Sequence, residues 1–228
     1  AVMRSLAAVV RTEGLPMALY TDRAGWAFYT PKAKGPVDKT RLTQVGRALA
    51  RLGIEHIPSY SPQARGRSER LNRTVQNRLV NELRVAGVTT CAAANAYLAA
   101  HYVPQHNAAF AVPPRDPASA FVPLGTADLD AILCVEVERV VARDNTVSVE
   151  TQLLQLAAQP GRRSCAGLHV TVRYHLDGRR SVVQGARVLG CFSAAGLPLN
   201  APPVAALPPL PRRLTRQDTT TIATEAGL

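Results

Sequence analysis

Ser61-Pro62-Gln63-Ala64-Arg65-Gly66-Arg67-Ser68-Glu69-Arg70-Leu71-Asn72-Arg73 is the stretch on which the reading of this chain turns. Its proline and glycine make the first half a loop. From Ser68 the residues suit a helix start, with a hydroxyl able to cap the first turn and an acid, Glu69, at the positive end of the helix dipole. Leu71, Val75, Leu79 and Leu83 then recur at helical spacing, so the helix is expected to run to about Val85. Arg65, Arg67, Arg70 and Arg73 crowd around the acid.

Upstream, residues 17–21 read as a short buried strand ending at Asp22 and followed by the breaker-rich Arg23-Ala24-Gly25. A carboxylate therefore stands at a strand's C-terminal end. The chain opens in a helix with Val2, Leu6, Val9 and Val10 on one face and Gly14 as its stop. Residues 26–39 hold Pro31, Gly35 and Pro36 with Lys32, Lys34 and Lys39, an exposed basic loop or hairpin. A helix over 40–52, with Leu42, Val45, Leu49 and Leu52 at helical spacing, is closed by Gly53 before a strand at 54–57.

Downstream, an Ala-rich helix over 92–103 gives way to Pro104, Pro113, Pro114, Pro117 and Pro123, an extended connector with a domain boundary near residue 126. From 132 to about 192 the pattern changes to short β-branched runs, at 135–141, 146–149, 153–156, 169–174, 181–184 and 188–192. Asp144-Asn145 and Asp177-Gly178 supply turns between them, as in a small barrel. Beyond 194 the chain is proline-rich and then polar, which predicts a disordered tail.

The 228 residues carry 27 Lys and Arg against 16 Asp and Glu, a formal charge of +11, so a polyanion is the first partner to consider. Aromatic residues make up 5%, which argues against base stacking as the main mode of binding. No run approaches the roughly twenty apolar residues of a spanning helix, so no membrane partner is expected. Cys91, Cys134, Cys165 and Cys191 lie far apart with no metal or disulfide spacing, and the histidines form no zinc cluster. Reduced, cytoplasmic thiols are the expectation.

The Ser-Pro-Gln-x-x-Gly-x-x-Glu-x-x-Asn run, preceded by a strand ending in Asp, resembles the last two-thirds of the retroviral-integrase-like catalytic core of DDE-type insertion-sequence transposases. The resemblance implies an RNase H-like fold that holds three carboxylates around two divalent metals. Asp22 matches the second acid and Glu69 the third. The segment Arg139-Val140-Val141-Ala142-Arg143-Asp144-Asn145-Thr146-Val147 with Leu153-Leu154 resembles the C-terminal SH3-like domain of the same family. The expected layout is α/β: a partial RNase H-like integrase core at 1–103, a Pro-rich linker at 104–127, an SH3-like β-barrel at 128–193 and a disordered tail at 194–228. The family's first Asp and its N-terminal helix-turn-helix have no counterpart, so the chain is expected to be a C-terminal portion, truncated at its N-terminus.

The chemistry has a physical basis of its own. Mg²⁺ or Mn²⁺ prefers hard oxygen ligands, and two such ions about 3.5–4 Å apart can activate a nucleophile and stabilise a leaving oxygen at phosphorus. Asp22 and Glu69 are the expected catalytic and metal-binding residues. Gln63, Arg65, Arg67, Arg70, Asn72 and Arg73 are the expected contacts to double-stranded DNA, both transposon ends and target, with no small-molecule substrate. The resemblance also implies a homo-oligomer and a cytoplasmic, nucleoid-associated location in a bacterium. Taken singly, Asp22 reads as the start of a turn and Glu69 as a dipole-stabilising residue; their occurrence together with the loop carries the assignment. Two rivals remain: a catalytically dead remnant that only binds DNA or a full-length partner, favoured by the missing first Asp, and a basic module for an unrelated polyanion.

Overall fold

The computed structural model describes residues 1–32, 35–61 and 63–199. In chain order the helices are α1 (Val2–Thr12), α2 (Gln44–Arg51), α3 (Gly66–Val85), α4 (Cys91–Tyr97), α5 (Val103–Phe110) and α6 (Leu129–Ile132). The strands are β1 (Ala18–Thr21), β2 (Glu55–Pro58), β3 (Val135–Val140), β4 (Thr146–Val149), β5 (Gln152–Gln155), β6 (His169–Tyr174), β7 (Arg180–Gln184), β8 (Arg187–Phe192) and β9 (Pro198–Leu199). The class is mixed α/β, as expected. Two compact units form among the described residues, one from 1–58 with 121–199, the other from 59–120.

In the first unit, α1 buries Met3, Leu6, Ala7 and Val10, the i, i+3, i+4, i+7 stripe of a surface helix. Val9, expected on that face, is instead exposed, because Met3 and Ala7 occupy the inward positions. Gly14 ends the turn at φ +103°, and Leu15 then exchanges backbone hydrogen bonds with Val122. A side chain at Gly14 would place its Cβ 2.7 Å from Val122 O, so only glycine fits.

β1 and β2 pair in parallel, from Ala18↔Glu55 to Thr21↔Pro58, with α2 in the connection between them. α2 starts later than the spacing predicts. Asp38 Oδ1 accepts from the Thr40 and Arg41 amides and holds that segment in a turn, so Thr43 becomes the cap by accepting from Gly46 N at 3.0 Å. Leu42 is left outside the helix and exposed. Val45, Ala48, Leu49 and Ile54 join Met3, Leu6 and Val10 in a core that also takes in Leu129, Ile132 and Leu133 from α6 and the residue after it.

The later strands fall within a residue or so of their expected positions. β3, β6, β7, β8 and β9 form an antiparallel sheet in that order, with β3 and β9 at its edges, and β4 and β5 form a separate hairpin. Val147, Val149 and Leu154 from the hairpin pack with Val170, Val172, Val182, Leu189 and Phe192 from the sheet. β9 falls in the stretch assigned to the tail and is ordered by pairing with Cys191 and Phe192. The tail from residue 200 on lies outside the described residues.

A polar joint fastens α2 to β3. Glu136, 11% exposed, accepts from Arg51 at 2.6 Å and Arg173 at 3.0 Å and pairs with Arg47 at 3.3 Å. Gln44 bonds both the amide and the carbonyl of Glu136, and Arg47 reaches the Cys134 carbonyl. His175 pins a second joint. Its Nδ1 donates to Asp130 O at 2.9 Å, since a carbonyl can only accept, and its Nε2 lies 2.8 Å from the buried Ser181 hydroxyl.

The second unit is helical. α3 begins at Gly66, two residues before Ser68, whose hydroxyl donates to Arg65 O rather than capping the helix. Val75, Leu79 and Leu83 are half-buried, Leu71 is exposed, and no residue of α3 is fully buried. After α4 a π-helical turn, Leu98–Tyr102, leads into α5, so the helical path continues to Phe110 instead of stopping at Pro104. Pro104 sits in the first turn of α5, where a missing N–H costs little.

Candidate functional site

Asp22 follows the last residue of β1, at the C-terminal edge of a parallel strand pair, where open α/β sheets present their ligand sites. It is half-buried, and its Oδ1 accepts from Ala24 N at 3.2 Å. Beneath it, Thr21 Oγ1 donates to Asp22 O at 3.0 Å and lies 2.8 Å from His56 Nε2. A hydroxyl has one proton; with that proton spent on Asp22 O, His56 donates through Nε2 and its Nδ1 is the bare nitrogen. The ring stacks on Phe28 with centroids 4.0 Å apart, and Nδ1 is enclosed without a hydrogen-bond partner among the described residues. Burial pushes the His56 pKa below its ordinary value.

The remaining residues singled out in the sequence lie in the second unit. Gln63 is exposed in a 3₁₀ turn, and Arg65, half-buried, precedes the first residue of α3. Arg67, Glu69, Arg70, Asn72 and Arg73 are all exposed within the first turns of α3. Helical geometry divides them. At 3.6 residues per turn, Arg67, Arg70, Leu71 and Thr74 share one face, while Glu69, Asn72 and Arg73 lie on the opposite one. The structure thus separates arginines that form one cluster in the sequence.

The first face lines a cleft of about 350 Å³, formed by Arg67, Arg70, Leu71 and Thr74 with His106 and Phe110 of α5. Tyr102, His106 and Phe110 follow one another at intervals of four residues, so their rings form a row: centroids are 5.7 Å apart for the first pair and 4.8 Å for the second. The Arg78 guanidinium lies 5.9 Å above the Phe110 ring and pairs with Glu82 at 3.3 Å. His106 and Phe110 escape the sequence reading because a proline at 104 signals the end of a helix. Their four-residue spacing is the signal that could have revealed them.

Carboxylate oxygens are the donors a hard divalent cation prefers, and Asp22 and Glu69 each offer one such group. Asp22 belongs to the first unit and Glu69 to the second. Among the described residues no three His, Cys, Asp or Glu side chains come together as a ligand set. No helix among the described residues is long and apolar enough to cross a membrane.

No family model matches the chain. It is 33% identical over 175 residues, 76% of its length, to y4bF of Sinorhizobium fredii, a protein named as a transposase. It is 34% identical over 90 residues, 40% of its length, to the transposase for insertion sequence IS1202 of Streptococcus pneumoniae. The matched portions cover 38% and 19% of those two proteins, so the chain spans well under half of either relative.

Proposed function

We propose that this chain, which belongs to the insertion-sequence transposases and spans 38% of the length of one relative, supplies the DNA-gripping surface and two of the metal-binding carboxylates of a strand-transfer enzyme. The observation that carries the reading is the exposure of Glu69 with Arg67, Arg70, Asn72 and Arg73 on a helix with no fully buried residue. A helix that contributes so little to a core and presents this many cations is suited to a polyanionic surface. The RNase H-like character of the region around β1, α2 and β2, and the SH3-like character of the later sheet and hairpin, belong to the same proposal.

In the complete enzyme Asp22 and Glu69 would each offer oxygens to Mg²⁺ or Mn²⁺, joined by an acid supplied outside these two positions. The bound ions would supply charge neutralisation at the scissile phosphate and lower the pKa of the attacking hydroxyl. Gln63, Arg65 and Arg73 would hold backbone phosphates, and Asn72 would hydrogen-bond the DNA beside Glu69. Thr21 and His56 fix the backbone at Asp22, so the carboxylate is presented from a rigid strand end.

Filter or anisotropy binding of duplex DNA between about 50 and 200 mM salt tests the reading. Phosphate neutralisation predicts a steep linear fall of log K with log salt. Affinity independent of salt, or no affinity for duplex DNA, would remove the proposal.

A further inference from the structure

The cleft between α3 and α5 lies on the face of α3 opposite Glu69, so the proposed metal chemistry does not account for it. Its volume, about 350 Å³, falls within the range of small-ligand sites, roughly 300–1,000 Å³. Its walls divide by chemistry. Arg67 and Arg70, both exposed, and the Thr74 side chain form one side, and the His106 and Phe110 rings form the other. Phe110 is 53% exposed, an aromatic ring left in solvent at the end of a helix, with the Arg78 guanidinium above it. Arg78 is in turn paired with Glu82 on α3, and no acidic side chain lines the cleft among the described residues. The π-helical turn Leu98–Tyr102 immediately before α5 is a feature common at functional sites.

Two guanidiniums and a hydroxyl facing an exposed aromatic ring match the two halves of a nucleotide, an anionic phosphate and a flat base. We propose that this cleft holds one unstacked nucleotide of DNA, with its phosphate on Arg67 and Arg70 and its base against Phe110 and His106. The proposal rests on the DNA-binding reading above and adds to it a site selective for single-stranded or frayed DNA. Arginine suits the phosphate because its fork can donate two parallel hydrogen bonds. The aromatic row Tyr102, His106 and Phe110 gives the base a rigid platform, since Tyr102 is 4% exposed and anchors its inner end.

The whole chain would be titrated with a fluorescent single-stranded oligothymidylate and with a blunt duplex, alongside Phe110→Ala and His106→Ala. Phe110 is largely solvent-exposed, so its truncation should leave the fold intact, which circular dichroism checks. Phe110→Ala is expected to weaken single-strand binding about tenfold, within the range for loss of one base–aromatic stack, and to leave blunt-duplex affinity unchanged. His106→Ala should weaken the same binding in the same direction. Unchanged single-strand affinity in Phe110→Ala, alongside salt-dependent duplex binding, would remove the nucleotide site and leave the proposed function standing. Absence of salt-dependent DNA binding by the unmodified chain would remove both.

Discussion

His56 Nε2 lies 2.8 Å from Thr21 Oγ1, whose own proton is donated to the carbonyl of Asp22. The two strands therefore meet through a polar bridge that ends on the backbone carbonyl of Asp22. His56 also borders a small cavity that it shares with Asp38, Lys39 and Arg41, and burial holds it neutral. In the unfolded chain it takes up a proton near its ordinary 6.5, whereas the folded form resists protonation to a lower pH. The unfolded state thus binds more protons in that window, so this contribution to stability is present above about 6.5 and is lost as pH falls toward the lowered value. Thermal unfolding between pH 7.5 and 5 should show a steeper loss of Tm in the unmodified chain than in His56→Gln. Equal slopes would mean that burial does not hold His56 neutral.

Glu136 meets Arg47, Arg51 and Arg173, three cations around one acid. Burial pushes its pKa up, but the hydrogen bond from Arg51, the charges of Arg47 and Arg51 and the hydrogen bond from Arg173 outweigh that and leave it lowered. Its contribution is present above the ordinary 4.5 and lost as pH falls through the folded value. Glu136→Ala leaves guanidiniums facing one another in a partly buried joint and should destabilise the chain by about 3 kcal/mol. Urea unfolding at pH 7 measures this, and a change within about 0.5 kcal/mol, the usual range for a surface substitution, would show that water replaces the carboxylate freely.

Under the proposed function, Glu69→Gln in the complete enzyme should abolish strand transfer while leaving duplex affinity and Tm nearly unchanged, since the side chain is exposed and supports no core. Activity is read on a labelled transposon-end duplex with Mg²⁺. Strand transfer at the unmodified rate would take Glu69 out of the chemistry.

Replacing Arg65 and Arg73 with Gln, singly and together, should flatten the plot of log K against log salt for duplex DNA by about one unit for each phosphate no longer neutralised. Arg84, in the last turn of α3, is the control expected to change the slope little. A slope unaffected by either substitution would place the duplex elsewhere on the chain.

Gly14→Ala should cost about 2 kcal/mol, because the backbone sits at φ +103° and the new Cβ would meet Val122 O at 2.7 Å. The Tm of the variant checks it. A stability equal to that of the parent would mean that the Leu15–Val122 bridge shifts without penalty.

The sequence by itself determined the local alphabet of this protein. The strand before Asp22, the glycine stops at Gly14 and Gly53, the turns at Asn145 and Gly178 and the β-strands from 135 to 192 were legible, because periodicity, turn chemistry and β-branching act over a few residues. So was the acid at the start of the arginine-rich helix. The burial expected of residues 17–21 was not: Met17 and Tyr20 are exposed, and no residue of β1 is buried. Only the tertiary structure decided which apolar residues face inward, as at Met3 and Val9, and where Asp38 delays α2 until Thr43. It also carried the helical path past Pro104, with the π-helical turn Leu98–Tyr102 lying just before the proline. The largest such decision concerns side chains distant in sequence: Glu136 with its three arginines, Thr21 with His56, and Arg67 and Arg70 with His106 and Phe110. Each of those sites depends on long-range packing that brings separate elements together, and no pattern confined to one element encodes it.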